Sequence, residues 1–240
     1  MAILEVSGLC KAYPKFQLEN IGFSVAPGRI MGLIGRNGAG KTTTLKSLLN
    51  IVHPDAGSVR YFGMELAEHE TEIKRRVGYA GGAVNFYQRR KIRAITDVTR
   101  RFYDNWDEQA YRKYMAAFSL DEDKTPATLS EGMRVKLSLA LALSHRAELL
   151  ILDEPTSGLD PVSRAELLEI FRYLKEQGTA ILFSTHITTD LEACADDITY
   201  IQNGRLLASM PLESFLTRGP SLEAIMVGYE KENLREKLMD

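Results

Sequence analysis

The chain lacks the features that define several classes of protein. Its 240 residues include only two cysteines, Cys10 and Cys194, too few for a disulfide framework and without metal-ligand spacing. We therefore expect a reducing compartment. No stretch approaches the roughly 18 apolar residues that a membrane-spanning helix needs, and residues 1–6 suit a strand better than a leader peptide. These absences lead us to expect that the chain itself lies in the cytoplasm.

Charge and composition bear on nucleic-acid binding and on the number of domains. Thirty basic and thirty-two acidic side chains leave a net charge of −2, which gives no electrostatic reason to expect nucleic-acid binding. With 45% hydrophobic residues, the chain can bury a substantial core. We detect no internal repeat. The composition predicts one large α/β domain with an inserted or appended subdomain.

A glycine-rich stretch, Gly35-Arg-Asn-Gly-Ala-Gly-Lys41-Thr42, follows an apolar run and precedes a segment with helical spacing. A strand, a glycine-rich loop and a helix N-terminus in this order suit phosphate binding, because glycines expose backbone N–H groups and the helix dipole adds positive potential. A simple turn before a helix is the alternative. We predict that Lys41 contacts the β- and γ-phosphates and that the Thr42 hydroxyl binds Mg²⁺. The predicted nucleotide contacts are Gly35, Arg36, Asn37, Gly38, Ala39, Gly40, Lys41, Thr42 and Thr43.

A second motif lies more than a hundred residues later. Residues 148–152 are mostly apolar and predict a buried strand that ends in two adjacent carboxylates, Asp153 and Glu154. Alone, the pair could simply end a strand at the surface. Next to a phosphate loop, one acid can hold Mg²⁺ while its neighbour activates the attacking water. We assign Asp153 to the metal and Glu154 to the general base.

Together these motifs resemble those of the ATP-binding subunits of ABC transporters, from about Ile3 to Met210. Leu129-Ser-Glu-Gly-Met133 stands where the LSGGQ signature of that family belongs. Ser157-Gly-Leu-Asp160 matches its D-loop, and Ser184-Thr-His186 matches its histidine switch. Tyr13 fits the aromatic residue that stacks on adenine.

The resemblance implies a P-loop NTPase fold of the α/β class: an ABC-type ATPase core with an antiparallel β subdomain and an inserted helical subdomain. It implies one domain over residues 1–210, with the helical subdomain at about 83–135, where segments 95–106 and 108–118 have helical spacing. Residues 211–240 then form a C-terminal helical tail.

The resemblance also assigns roles. Two chains are implied to enclose two ATP molecules, with Ser130 and Gly132 facing the nucleotide of the partner and Asp160 reaching across the dimer. His186 is implied to bridge the γ-phosphate and the attacking water. Each segment also has a simpler interpretation: a capped amphipathic helix, a turn before Pro161 and a structural histidine. The predicted catalytic residues are Lys41, Glu154 and His186.

Two positions depart from the family pattern. Gly82 stands near the place where the family commonly has a glutamine that helps to hold Mg²⁺ and water. Either Asn85 or Gln88 substitutes for it, or catalysis and coupling are altered. Glu131 and Met133 replace Gly and Gln in the signature, and a carboxylate near a triphosphate is a repulsive element.

One basic cluster follows the Gly82 loop. It lies where the family docks a cytoplasmic helix of its membrane partner, although a solvated helix face and proximity to anionic lipid are alternatives. Phe86, Tyr87 and Trp106 are candidate apolar anchors, or core residues. The basic cluster consists of Arg89, Arg90, Lys91, Arg93, Arg100 and Arg101.

These observations predict an ATP-binding and ATP-hydrolysing subunit that powers transport through a separate membrane permease. We expect it to pair with a second ATPase subunit, identical or related, and to lie on the inner face of the cell membrane. The short signature and residues 105–107 favour a bacterial exporter. The alternatives are a soluble ABC ATPase without a permease and a regulatory protein that hydrolyses ATP weakly.

Overall fold

The computed structural model describes residues 1–81 and 87–239, with the backbone alone for 234–237. Its strands are β1 (Leu4–Tyr13), β2 (Phe16–Val25), β3 (Ile30–Ile34), β4 (Ala56–Tyr61), β5 (Met64–Glu65), β6 (Val77–Gly81), β7 (Leu149–Asp153), β8 (Ala180–Thr185), β9 (Asp197–Gln202) and β10 (Arg205–Pro211). Its helices are α1 (Lys41–Leu48), α2 (Leu66–Lys74), α3 (Ile92–Thr99), α4 (Glu108–Ala117), α5 (Glu131–Ser144), α6 (Pro161–Glu176), α7 (Thr188–Cys194), α8 (Leu212–Leu216) and α9 (Leu222–Met239).

Over the described residues, the strands form one sheet in the order β5-β4-β1-β2-β10-β9-β3-β8-β7-β6. Strands β9, β3, β8, β7 and β6 pair in parallel, whereas β1, β2, β4 and β5 pair antiparallel. The phosphate loop follows β3, which lies in the parallel part. Parallel strands place their carboxyl ends along one edge, and this edge brings the two predicted motifs together.

The parallel strands are buried on both faces. On β8, Ile181 and Phe183 belong to one hydrophobic core, while Ala180 and Leu182 belong to the other. Successive side chains of a strand point to opposite faces, so an unbroken apolar run fills two cores at once. This explains why the segments before Gly35 and before Asp153 are apolar without alternation.

A third core belongs to the helical segment between β6 and β7. Ile92, Ile95, Tyr111, Leu137 and Leu141 pack there, away from the two faces of the sheet. The Tyr111 hydroxyl contacts Thr96 Oγ1 at 2.9 Å and donates to Glu122 Oε1 at 2.9 Å. Burial raises the pKa of the Tyr111 phenol, so it stays protonated as a hydrogen-bond donor.

The mixed sheet confirms the predicted α/β fold, but the helix predicted over 95–106 is wrong in its extent. Helix α3 ends at Thr99, and a 3₁₀ turn spans Arg100–Phe102. Beyond the turn, Tyr103 stacks on His145 with ring centroids 3.8 Å apart, and Asn105 Nδ2 donates to the His145 carbonyl at 2.7 Å. These tertiary contacts direct the chain away from the helix.

The chain after β10 forms α8 and α9. Phe215, Leu222 and Ile225 are buried against the core beneath β9 and β10. No helix within residues 1–81 and 87–239 is long and apolar enough to cross a bilayer.

Candidate functional site

The phosphate loop joins β3 to α1 at the carboxyl edge of the sheet. Gly40 precedes the first residue of α1. Its φ is 114°, a left-handed conformation that residues with a Cβ rarely adopt. A Cβ there would lie 2.9 Å from both Leu18 Cδ1 and Phe16 Cζ. The loop borders a cleft of about 600 Å³. Its lining comprises Lys15, Phe16, Arg36, Asn37, Gly38, Gly40, Lys41, Thr42, Thr43, Glu154, Ser157 and His186.

Lys41 is the first residue of α1 and is only 5% exposed. Its Nζ donates to the Gly35 carbonyl at 2.7 Å and approaches the Arg36 carbonyl at 3.4 Å. The same Nζ lies 3.2 Å from Glu154 Oε1. A buried ammonium group requires such partners, and this set fixes it over the loop.

Asp153 ends β7 next to the start of α1. Its Oδ1 lies 3.2 Å from Thr42 Oγ1 and accepts a hydrogen bond from Ser184 Oγ at 2.6 Å. Ser184 Oγ in turn accepts from the Glu154 backbone N–H at 3.0 Å. Burial raises the pKa of Tyr79 on β6, and the charge of Asp153 adds to the effect. Three strands and α1 thus converge on one carboxylate.

Glu154 has a positive φ of 52°, which is uncommon for a residue with a side chain. Its Oε2 lies 2.8 Å from His186 Nδ1, while Oε1 faces Lys41. The side chain is 21% exposed and that of His186 is 44% exposed. The three predicted catalytic residues therefore meet, with the carboxylate between a cation and an imidazole.

The oxygen atoms around Asp153 fit a hard divalent cation. Thr42 and Asp153 present a hydroxyl and a carboxylate side by side. Within residues 1–81 and 87–239, no group of three or more His, Cys, Asp or Glu side chains forms a metal cage. Magnesium usually takes one or two carboxylates together with water and substrate phosphates, so this sparse donor set suits it.

Comparison with known proteins agrees with this geometry. A family model described as "ABC transporter" matches residues 18–157. The bacitracin transport ATP-binding protein BcrA of Bacillus licheniformis is 33% identical over 90% of this chain and 72% of its own length. The chain belongs to the family of ABC transporter ATP-binding proteins. The Nod factor export ATP-binding protein I of Burkholderia thailandensis is 34% identical over 93% of this chain and 76% of its own length.

A solved ATP-binding subunit of an ABC transporter superposes with a TM-score of 0.84 at 31% identity, covering 94% of this chain and 98% of that one. As a member of the family, this ABC transporter ATP-binding protein binds ATP and hydrolyses it to power transport. The P-loop fold and the family predicted from the sequence are both confirmed.

Several predicted contacts lie outside the phosphate cleft of this chain. Ser130 caps α5 by accepting from the Met133 backbone N–H at 3.3 Å, and Gly132 is buried against Leu159 and Ser163. Asp160 caps α6, and the hydrogen bond from the Ser163 hydroxyl lowers its pKa. The cap expected for the Leu129–Met133 segment is therefore present, and Asp160, whose alternative was a turn before Pro161, caps a helix as well. Contacts of Ser130, Gly132 and Asp160 with a nucleotide in the partner chain stay predictions.

The carboxylate of Glu131, in the segment that matches the signature, lies against Gly158 of its own chain. Glu131 Oε2 lies 3.2 Å from the position that a Cβ on Gly158 would occupy, so it lies beside the D-loop. In the phosphate loop, the Ala39 carbonyl accepts a hydrogen bond from the Gly204 backbone N–H, and the Gly35 carbonyl accepts one from Lys41 Nζ.

The adenine contact predicted for Tyr13 stays a prediction. Tyr13 ends β1 and is 43% exposed, with its ring centroid 6.4 Å from that of Phe16. Phe16, which the sequence analysis did not select, borders the phosphate cleft itself.

Gly82, Asn85 and Phe86 lie outside the described residues. Gln88 is exposed, and its proposed role in place of the glutamine stays a prediction.

A second cleft, of about 650 Å³, separates the sheet from the helical segment. Tyr79, Tyr103 and His145 border it, and so do Asp153 and Thr42. The basic cluster lies on the same helical segment, where Lys91 and Arg93 both pair with Asp123. These pairs reduce the charge that the cluster presents.

Proposed function

We propose that two copies of this chain, or this chain and a related one, form a pair on the inner face of the cell membrane and drive a separate permease. The N-terminus of α5 carries this proposal, because Ser130 there lies outside the phosphate cleft of its own chain, and the match to the ABC transporter family supports it. The named relatives serve bacitracin transport and Nod factor export, which supports an exporter of a bacterial type.

In the proposed mechanism, Lys41 transfers from Glu154 to the β- and γ-phosphates when ATP enters. The released Glu154 carboxylate then removes a proton from the attacking water, as a general base. His186, 2.8 Å from the same carboxylate, orients that water and the γ-phosphate. The left-handed backbone of Glu154 supports this assignment because residues in uncommon backbone conformations cluster at active sites.

We propose that Thr42 and Asp153 hold Mg²⁺. The ion, when bound, neutralises charge that develops on the phosphate oxygens. Ser184 keeps Asp153 in position through its 2.6 Å hydrogen bond. Second-shell hydrogen bonds of this kind orient metal ligands.

The partner chain completes each nucleotide site. Ser130 and Gly132 lie at the positive N-terminal end of α5, a suitable receptor for a γ-phosphate, yet they stand outside the cleft of their own chain. We assign them, with Asp160, to the nucleotide held by the other chain.

The 650 Å³ cleft is the proposed docking site for a cytoplasmic helix of the permease. Its rim includes exposed apolar side chains, among them Ile51 at 58% exposure. The helical segment that forms one wall has its own core, which supports a helical subdomain at about 83–135. The ATPase domain then spans 1–210, followed by the tail at 211–240.

Mixing two inactive variants tests the shared site. Ser130→Asp keeps a good helix cap but places a negative charge where the γ-phosphate of the partner binds. Glu154→Gln removes the base. Each variant alone is expected to hydrolyse ATP poorly, whereas a mixed pair contains one intact site, so the mixture regains about a quarter of wild-type turnover.

Ser221→Asp is the matched control, because Ser221 accepts from the Ala224 backbone N–H at 3.2 Å at the start of α9 and is assigned to neither nucleotide, so turnover is expected to stay near the wild-type value. Full activity of Ser130→Asp alone contradicts a site built from two chains.

A further inference from the structure

The C-terminal helix returns to the phosphate loop. Arg36 Nη1 lies 3.3 Å from Glu230 Oε2, a contact between residues 194 positions apart in the chain. Arg36 borders the phosphate cleft and also a third cleft, of about 700 Å³, beside α9. Its side chain is 73% exposed, whereas that of Glu230 is 23% exposed. A guanidinium group on the nucleotide side is thus held by a carboxylate on the tail.

Glu230 is fixed by the packing of α9. The preceding residue, Tyr229, stacks on Phe215 with ring centroids 6.4 Å apart, and its hydroxyl accepts from Arg218 Nη1 at 2.8 Å. The Leu222 backbone N–H donates to Glu192 Oε1 at 2.6 Å at the start of the helix. The carboxylate therefore lies on a helix that is packed against the core and tied to neighbouring elements by hydrogen bonds.

Arg36 is also linked to the catalytic residues. Its carbonyl lies 3.4 Å from Lys41 Nζ, the group that pairs with Glu154. Glu230 thus contacts the side chain of Arg36, and the backbone carbonyl of the same residue lies beside Lys41.

A second partner for Glu230 lies nearby. Tyr200 is fully buried, and its ring centroid is 5.8 Å from that of Tyr229. Within the described part of the chain, its hydroxyl makes no hydrogen bond of standard geometry. Burial raises the pKa of the Tyr200 phenol and the nearby Glu230 carboxylate raises it further. A buried hydroxyl that lacks a well-formed hydrogen bond is costly, so the Tyr200 O–H favours donating a closer hydrogen bond to the neighbouring Glu230 carboxylate.

We propose that Glu230 is a positioning residue that holds Arg36 away from the nucleotide in the resting protein and passes to the Tyr200 hydroxyl when Arg36 turns to the phosphates. This inference rests on the nucleotide site assigned above. It gives the tail helix a role: its carboxylate competes with ATP for a cation of the phosphate loop. Nucleotide binding and the position of Glu230 are thereby coupled.

Equilibrium binding of ATP to the full chain, together with steady-state turnover, tests this coupling. Glu230→Gln is expected to lower the Kd for ATP about two- to five-fold, the range that an exposed ion pair supports, with kcat unchanged. Tyr200→Phe removes the second partner and is expected to raise the Kd about two-fold. In an Arg36→Gln background, Glu230→Gln is expected to have no effect.

Glu223→Gln is the matched control, because Glu223 lies on the same helix and borders the same cleft. Opposite changes in Kd for Glu230→Gln and Tyr200→Phe support the proposal, since loss of packing would weaken binding in both. Equal effects of Glu230→Gln and Glu223→Gln, or an effect of Glu230→Gln that persists without Arg36, overturn it. Failure of the wild-type chain to bind ATP would instead contradict the nucleotide site itself.

Discussion

Glu154 forms an ion pair with Lys41 at 3.2 Å, inside the cleft that the triphosphate must enter. Glu154, which we assign as the general base, therefore pairs with Lys41, which we assign to phosphate binding. On these assignments, we expect ATP to displace this carboxylate before hydrolysis begins. The same displacement frees Glu154 for its role as a base, so binding and activation are linked.

A variant without the Glu154 charge is expected to affect ATP hydrolysis and ATP binding differently. Glu154→Gln is expected to lower kcat by about 100-fold or more, because a general base typically contributes that much. ATP binding is expected to be retained or tighter, since Lys41 no longer has a charged competitor. Steady-state turnover and equilibrium binding measure the two effects independently.

Glu148→Gln is the control for this variant. Glu148 precedes β7 and pairs with Arg76 at 2.6 Å, at the opposite end of the strand from Asp153. Its loss is expected to leave kcat within about two-fold of the wild-type value, as for most exposed ion pairs. A Glu154→Gln protein with normal kcat contradicts the assignment of the base.

Ser184 is expected to affect magnesium dependence. Its hydroxyl orients Asp153 at 2.6 Å, so Ser184→Ala is predicted to raise the Mg²⁺ concentration for half-maximal turnover about ten-fold or more. Magnesium titration of ATP hydrolysis at saturating ATP measures this shift.

Thr199→Val controls for the loss of a buried hydroxyl. Thr199 Oγ1 contacts Ser209 Oγ at 3.0 Å on neighbouring strands, away from Asp153. This variant is predicted to lower stability by about 1 kcal/mol without a change in the Mg²⁺ midpoint. An equal midpoint for Ser184→Ala and the wild type would show that Ser184 does not position the metal ligand.

Stability is expected to fall in mild acid because of His145. The ring is buried and stacked on Tyr103, and burial lowers its pKa below the ordinary value of 6.5. Above pH 6.5 the histidine is neutral in both states, so it imposes no penalty. As pH falls below 6.5 the unfolded chain binds a proton that the folded chain resists, so stability declines by up to about 1.4 kcal/mol per pH unit.

Denaturant unfolding at pH 8, 6.5 and 5 measures this decline. His145→Asn is predicted to be less stable at pH 8, because the ring stack is lost, but to show a smaller decline toward pH 5. A decline of equal size in both proteins assigns the pH dependence to other groups.

Two aromatic residues, Tyr13 and Phe16, are candidates for stacking on adenine, and their alanine variants distinguish them. Tyr13→Ala is predicted to weaken ATP binding by about 1 to 3 kcal/mol, the usual value for a base on an aromatic ring. It should leave inorganic tripolyphosphate binding unchanged, because that ligand has no base. If Phe16→Ala alone discriminates between the two ligands, Phe16 is the stacking residue.

The phosphate loop and the Asp153-Glu154 strand could be predicted because each is a local pattern. Glycines, an adjacent helix and an unbroken apolar strand lie within a few residues of one another. Parallel pairing of β3, β8 and β7 then fixes their meeting point. The sequence alone therefore predicts that Lys41, Asp153 and Glu154 are neighbours.

Contacts that depend on tertiary packing could not be predicted. Ser184 was identified as part of a motif, but its hydrogen bond to Asp153 depends on strand register. Glu230 lies on a helix whose docking is set by Tyr229 and Phe215, and no local signal links it to Arg36. The 3₁₀ turn after Thr99 likewise follows from the stacking of Tyr103 on a distant histidine.

Copurification with turnover tests the central claim most directly. Tagged wild-type and Glu154→Gln chains would each be isolated from detergent-solubilised native membranes, and ATP turnover would be measured on the eluates. The account predicts that both variants retain the same multi-helix membrane protein, and that this protein raises turnover in the wild type only. Recovery of soluble partners alone, with turnover unaffected by membrane components, would contradict a chain that powers a permease.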